Sequence, residues 1–415
     1  MSQKERDRLR ILSWVKEGQI KIKKAAEILE LSYRHCRRIY KRYREEGEKG
    51  LIHRSRGRPS NRKKDPLFRK AVISRYEERY KGFGPTLACE KLEKEGYVLD
   101  HETLRRWLIV EGNWEKRRKR KKHRNWRERK KHFGELVQVD GSHHAWFEDR
   151  GGKSVLINMV DDATGTTFCL LDEGETTRAV MLTIWEYIIR YGIPRAIYVD
   201  RDSIYITTRP ATISEELKGE RPLTQLGRAL QKLGVKIITA RSPQAKGRVE
   251  RSNGIHQDRL VKELRLEDID NLKEANTFIE DKYLADLNGR FAIEPKDEVD
   301  FHRKVENELD LGRIFCFEKD RIVDNDWTVR WNRRVFQIVK DNKILPRARA
   351  KVVVQEWLDG TIHIVYRGEE LRHKEIYKKP LRKKKKANIS AADKVHIPAA
   401  DHPWRKWTYK QRITA

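Results

Sequence analysis

Between Phe133 and Glu250 the chain repeats one device: an apolar run of strand length that ends on an acid. Glu135–Val139 leads into Asp140-Gly141-Ser142, Ser154–Val160 into Asp161-Asp162, and Arg195–Val199 into Asp200. A further run, Thr167–Leu171, reads as a third strand, and Ala179–Tyr191 as an apolar helix before the strand that ends at Asp200. Leu226–Leu233 then reads as helix, Lys236–Thr239 as a short strand, and a long basic amphipathic helix begins at Gly247 and carries Glu250.

The order β-β-β-α-β, closed by an acid-bearing helix, is the layout of an RNase H-like α/β core. In that layout the first and fourth strands are neighbours, so acids at their carboxyl ends, Asp140 and Asp200, converge, and the helix delivers Glu250. Three clustered carboxylates repel one another unless a divalent cation neutralises them, and hard oxygen donors with open positions suit Mg²⁺ or Mn²⁺. Two such ions activate an attacking oxygen and stabilise a leaving one at a phosphodiester. Any one of these acids alone reads far more readily as a cap, a turn residue or a surface charge; their three contexts together carry the assignment. Asp161 and Asp162 read as turn residues, Asp202 as an acid beside the site, and Glu216, Glu220 and Glu263 as rivals of Glu250. Lys246, Arg248 and Arg251 are expected to hold phosphates, and Gln244 and Asn253 to reach backbone or base edges, with a solvated helix face as the plain alternative. His143 and His144 are not assigned as ligands, because hard cations favour oxygen.

Ahead of this core, Lys4–Glu17 reads as a first helix, Ala25–Leu29 as part of a second, and Ser32 as the cap of a third. The pair joined by a short turn is a helix-turn-helix, and Arg34, Arg37, Arg38 and Lys41 lie on the outer face of its recognition helix. Arg56-Gly57-Arg58-Pro59 resembles an AT-hook core, with Arg56 and Arg58 placed for a minor groove, and reads equally well as a linker. A second helix-turn-helix, with a wing as an option, spans Leu67–Trp107 and offers Arg105 and Arg106. The Lys- and Arg-dense stretch from Lys116 to Lys131 would repel itself unless DNA neutralised it.

Composition supports the same partner. Lys and Arg number 93 against 63 Asp and Glu, a formal charge of +30, which makes a strong field for polyanions. No apolar run approaches the ~20 residues needed to span a bilayer, and Met1 begins no secretory leader, so a cytoplasmic, prokaryotic protein that acts at the nucleoid is expected. The four cysteines are widely spaced, which argues against zinc and disulfides.

Three segments, Gln138–Glu148, Tyr191–Ser203 and Ser242–Asn253, resemble the DDE transposases, and more narrowly the ISNCY insertion-sequence family. The last is the most specific: a loop with Pro243 and Gly247 leads into the helix bearing the glutamate. The resemblance runs from the first helix-turn-helix to about Pro295. It implies an integrase core holding Mg²⁺ or Mn²⁺, a homo-oligomeric synapse, and recognition of double-stranded element ends and target DNA. The separation of Asp200 and Glu250, 250 − 200 = 50 positions, departs from that pattern, and Thr207–Arg221 reads as a surface insertion.

The expected architecture is multidomain: all-α helix-turn-helix units at 1–55 and 65–114 with linkers at 56–64 and 115–132, the α/β core at 133–295, a small β-barrel at 296–377, and a basic tail at 378–415 in which Trp404 and Trp407 are anchors. Strand runs at Thr328–Trp331, Val335–Ile338, Ala350–Trp357 and Ile362–Tyr366 carry the barrel reading. Two other functions are compatible with this organisation: a DNA-binding regulator on a non-catalytic scaffold, and an RNase H-like nuclease that does not join ends.

Overall fold

The computed structural model describes residues 1–57, 63–115, 127–207, 209–211, 213–219, 222–240, 246–306, 310–376 and 399–402. Arg58, Gln244, Trp404, Trp407, and most of the basic linker and tail lie outside them. The chain forms two compact units, Met1–Arg118 and Lys119–Ala415.

The first unit is helical throughout: α1 (Gln3–Lys16), α2 (Ile22–Ile28), α3 (Tyr33–Glu46), α4 (Pro66–Arg79), α5 (Pro85–Lys94) and α6 (His101–Val110). Local chemistry sets the ends. Gly18, at φ +79°, follows α1, the Ser32 hydroxyl accepts from the His35 N–H to cap α3, and Asp65 and Asp100 cap α4 and α6. Ile11, Leu12, Ala25, Ala26, Cys36, Ile39 and Leu51 fuse the first three helices into one core. Among the described residues this unit has no strand, so the second helix-turn-helix carries no wing there.

The second unit begins with β1 (Val137–His144), β2 (Ser154–Asp161), β3 (Thr167–Asp172), α7 (Thr177–Tyr191), β4 (Ala196–Val199), α8 (Ile213–Lys218), α9 (Gln225–Lys232), β5 (Lys236–Thr239) and α10 (Gly247–Leu266). Strand order is β3-β2-β1-β4-β5. β2 runs against β1 and β3, while β4 and β5 run with β1. Every residue of β2 is buried, so the sheet is covered on both faces. The expected strands and helices of the core are therefore present in the expected order. α8 falls in the inserted segment and exposes Ile213 and Leu217, as a surface insertion does.

Beyond α10 the helix expected from Asn271 to Leu287 is present and runs on to Phe291, as α11 (Leu272–Phe278), a π-helical turn (Ile279–Tyr283) and α12 (Leu284–Phe291) in unbroken succession. Residues past Pro295 stay on the core, where Phe301 donates to the Phe133 carbonyl and Arg303 to that of Ile193. α13 (Leu311–Ile314) then leads into β6 (Cys316–Ile322), β7 (Thr328–Trp331), β8 (Arg334–Ile338), β9 (Lys351–Trp357), β10 (Ile362–Tyr366), β11 (Glu369–Leu371) and β12 (His373–Ile376). These strands do not close into the expected barrel. They form two open sheets, β11-β10-β9-β6 and β12-β8-β7. The chain changes sheet between β6 and β7, and Val329, Trp331, Phe336 and Ile338 of one sheet face Val352, Val354, Ile362 and Ile364 of the other across one core.

α10 also buries His256 completely, and burial pushes its pKa down to about 3. The folded value lies below the unfolded one, so the unfolded chain binds the extra proton. This stability is complete above about pH 6.5 and declines on acidification through the window between the two values, by roughly 1.4 kcal/mol per pH unit. Thermal melts of the wild type and His256→Gln at pH 7.5 and pH 5 check this. The wild type should lose about 2 kcal/mol more on acidification, a shift of roughly 4–8 °C; equal losses would contradict the assignment.

Candidate active site

The parallel register pairs Val137 with Ile197 and Gln138 with Tyr198, an offset of 197 − 137 = 60, so Asp140 and Asp200 stand in line on adjacent strands; Asp200 follows the end of β4, whereas Asp140 lies midway along β1, which runs on to His144 through its pairing with β2 instead of ending at the acid as expected. Their side chains meet at one cation. The Lys246 ammonium, only 7% exposed, lies 2.7 Å from Asp140 Oδ1 and 3.6 Å from Asp200 Oδ2. Asn253 Nδ2 donates to Asp140 Oδ2 at 2.9 Å, and Asp200 Oδ1 accepts from the Asp202 N–H at 3.1 Å. Asp202 shapes this turn by also accepting from the Ile204 N–H.

The even-numbered side of β1 faces α10. Gln138 accepts from the Val249 N–H, Asp140 from Asn253, and the Ser142 hydroxyl from Gln257. Glu250 follows Lys246 by four residues and precedes Asn253 by three, so it shares the helix face of both residues that touch Asp140. It is exposed. Among the described residues no three His, Cys, Asp or Glu side chains gather as they would around one metal ion. The structure thus brings Asp140 and Asp200 together through Lys246 and leaves Glu250 on the shared face without gathering all three acids.

A fourth carboxylate escaped the sequence reading. Glu175 follows β3, which runs parallel to β1 and so ends at the same sheet edge. Its carboxylate lies where a Cβ at residue 141 would stand, so a larger residue there would require the Glu175 side chain to move away from the site. Burial, then the charges of Asp140 and Asp200, push its pKa up. The Tyr205 side chain is buried beside these acids, and its hydroxyl finds no hydrogen-bond partner among the described residues. Burial, then Glu175, Asp200 and Asp140, raise its pKa well above the usual phenol value. The signal available in the sequence was Asp172-Glu173-Gly174-Glu175, acids at the end of a strand parallel to the first.

Several expected DNA contacts are engaged within the chain. Arg248 donates to Asp162 Oδ1 (2.8 Å) and to the Arg127 carbonyl (3.0 Å) instead of facing outward. Asp162, fully buried, also binds the Arg127 guanidinium, the Gln138 amide (2.7 Å) and the Lys130 N–H (2.9 Å). It is a hub, not merely a turn residue; Asp161 serves the turn, accepting from the Ala163 and Thr164 N–H groups, and also accepts from the distant Gly134 N–H. Arg56 pairs with the buried Glu5 at 2.8 Å, and Arg105 and Arg106 both pair with Glu102. Arg34, Arg37, Arg38 and Lys41 are exposed on α3, Lys41 lying 3.8 Å from Glu45, and Arg251 is exposed on α10.

Helix-turn-helix modules ahead of an α/β core with this strand order, and two aspartates in line across its parallel strands, define a protein with DNA-binding helical modules and a carboxylate-bearing α/β core. A helix-turn-helix domain model matches residues 7–60 and a homeodomain-like domain model residues 35–108. Transposase y4bF of Sinorhizobium fredii is 35% identical over 90% of this chain and 81% of its own. The transposase for insertion sequence IS1202 of Streptococcus pneumoniae is 28% identical over 97% of this chain and 94% of its own. The chain belongs to this family of transposases. Among solved structures, the magnesium complex of the HTLV-2 integrase catalytic core domain is 21% identical over 40% of this chain and 94% of that one, with a TM-score of 0.29. The simian T-cell lymphotropic virus intasome in complex with the PP2A regulatory subunit B56 gamma is 14% identical over 74% and 100%, with a TM-score of 0.32. Neither likeness is close enough to bear on function. No helix among the described residues is long and apolar enough to cross a membrane.

Proposed function

We propose that this transposase is of the DDE type, within the ISNCY group, and that it cuts the 3′ ends of its own element and joins them to target DNA. Asp140, Asp200 and Glu250 are its acidic triad, with Glu175 as a neighbouring carboxylate. The observation that carries this reading is the buried Lys246 ammonium shared by Asp140 and Asp200: two carboxylates already converge on a cation there. The donor set is hard carboxylate oxygen, which fits Mg²⁺ or Mn²⁺. Asp140, Asp200 and Glu250 would hold one or two such ions, which when bound activate the attacking water or 3′-hydroxyl and stabilise the leaving oxygen. Asp140 and Asp200 supply the fixed oxygens from the sheet. Glu250 completes the set from the first turn of α10, and Arg251 beside it meets a phosphate. Lys246 offsets the repulsion between the aspartates. Joining two ends calls for a homo-oligomer in which each protomer holds one end.

The test is strand transfer of a labelled, pre-cut element end into plasmid DNA with Mg²⁺. Joining by the wild type, lost in Asp140→Ala, Asp200→Ala and Glu250→Ala with end binding retained, supports the proposal. One observation favours the alternative, a DNA-binding regulator on an inert scaffold: the three acids are not gathered among the described residues. End binding with no metal-dependent joining would select it.

End recognition falls to the exposed cations of α3. Arg37→Ala and Arg38→Ala should each weaken end binding and lower the slope of log affinity against log salt by about 1 per lost phosphate contact. Binding measured at four salt concentrations checks this; an unchanged slope in both variants removes α3 from the interface.

A further inference from the structure

Asp140 accepts hydrogen bonds from two sides, and the one from Asn253 is the last link of a buried series. A carboxylate only accepts, so Asn253 turns its Nδ2–H to Asp140 (2.9 Å) and its Oδ1 inward. That oxygen accepts from Asn158 Nδ2 at 2.8 Å, whose other N–H reaches the Ser252 hydroxyl at 3.0 Å. Asn158 Oδ1 then accepts from the Thr167 hydroxyl at 2.6 Å. With that proton committed, Thr167 Oγ1 accepts from His256 Nε2 at 3.3 Å, which fixes the neutral Nε2–H tautomer. His256 Nδ1 is left to accept from the Tyr283 hydroxyl at 3.0 Å.

Every donor points the same way, from Tyr283 to Asp140. Tyr283 5%, His256 0%, Thr167 4%, Asn158 0% and Asn253 7% exposed are all sealed from water, where such links polarise one another. The series crosses the sheet through β3 and β2, and Asn158 is the register partner of Asp140 itself. Its far end is the last residue of the π-helical turn, a local irregularity often kept where a side chain must be re-aimed.

We propose that this series is a positioning device for Asp140: Asn253, Asn158, Thr167, His256 and Tyr283 hold Oδ2 and so aim Oδ1 at the cation site. The proposal rests on the reading of Asp140 as a metal-holding carboxylate. Asn253 alone could rotate its amide, but with Asn158 presenting only N–H groups to it, one orientation survives. Thr167, three hydrogen bonds from Asp140, is the decisive link because it takes both its direction and its partner from the links either side.

The experiment compares full-length Thr167→Val, which removes the hydroxyl, with Thr167→Ser, which keeps it and loses the methyl. Three quantities are read: joining of a pre-cut end across a Mg²⁺ titration, Mn²⁺ binding by calorimetry without DNA, and the melting temperature. Thr167→Val should weaken Mn²⁺ binding about tenfold and raise the Mg²⁺ needed for joining by a similar factor, with end binding unchanged. Thr167→Ser should stay within about twofold of the wild type in both. Wild-type metal binding in Thr167→Val, or losses in Thr167→Ser that follow its melting temperature, would overturn the proposal. Joining by the wild type and its loss in Asp140→Ala keep the underlying reading in place, so an inert Thr167→Val then counts against the positioning series alone.

Discussion

Exchanging Asp140 for asparagine is expected to lower strand transfer by roughly 10³-fold or more while end binding stays within about twofold of the wild type. The substitution is isosteric, so the fold has little to lose. Asparagine turns its oxygen to the Asn253 N–H, which leaves its own Nδ2 donor facing the Lys246 ammonium, 2.7 Å from where Oδ1 stood. A donor then opposes a cation in a pocket where the lysine side chain is only 7% exposed. The site loses one negative charge and its best-oriented oxygen together, so metal affinity falls with the rate. Joining rates and Mn²⁺ calorimetry on the same preparation check this. Joining within tenfold of the wild type would remove Asp140 from the reacting centre.

The second large effect concerns Asp162 and is read in stability. Its carboxylate is fully buried and accepts from Arg127, Arg248, Gln138 and the Lys130 N–H. Asp162→Ala leaves the Arg248 guanidinium, 18% exposed, without its counter-charge, and the buried Gln138 amide without its acceptor. Removing one partner from such a group costs about 3–5 kcal/mol. Asp162→Asn keeps an acceptor and loses the charge, so it should fall between the wild type and alanine. Because Gln138 also accepts from the Val249 N–H at the start of α10, joining by Asp162→Ala should drop further than its folded fraction accounts for. Urea denaturation of the full chain measures the first part, and a cost below about 1 kcal/mol for alanine would show that Asp162 is only a turn residue.

The core was legible in the sequence because its signals are local. Apolar runs ending on Asp140 and Asp200, and a basic helix bearing Glu250, specify strands, a helix and their order without knowledge of contacts. The parallel offset that aligns the two aspartates follows from that order. What the sequence hid is pairing over distance. Arg56 and Arg248 look like free cations in the chain, and each is held by an acid whose approach only the fold decides; the Arg105–Glu102 pair, one helical turn apart, is by contrast a local one. Asp162 sits at a turn, so its partners on the linker, β1 and α10 leave no local mark. Glu175 was overlooked because its neighbours Asp172 and Glu173 make it resemble a solvated loop. β6 was missed because Glu318-Lys319-Asp320-Arg321 is charged, although its backbone pairs with β9 throughout. The barrel failed for a similar reason, since strand runs specify strands but not which edges meet.

The most direct measurement is metal-selective joining by Asp140→Cys. A thiolate is a softer ligand than a carboxylate and favours Mn²⁺ over Mg²⁺. If Asp140 holds a metal ion during joining, the variant joins pre-cut ends with Mn²⁺ and not with Mg²⁺, while the wild type uses both. Joining by Asp140→Cys that is as fast with Mg²⁺ as the wild type, or joining by the wild type that survives removal of divalent metal, would contradict the account.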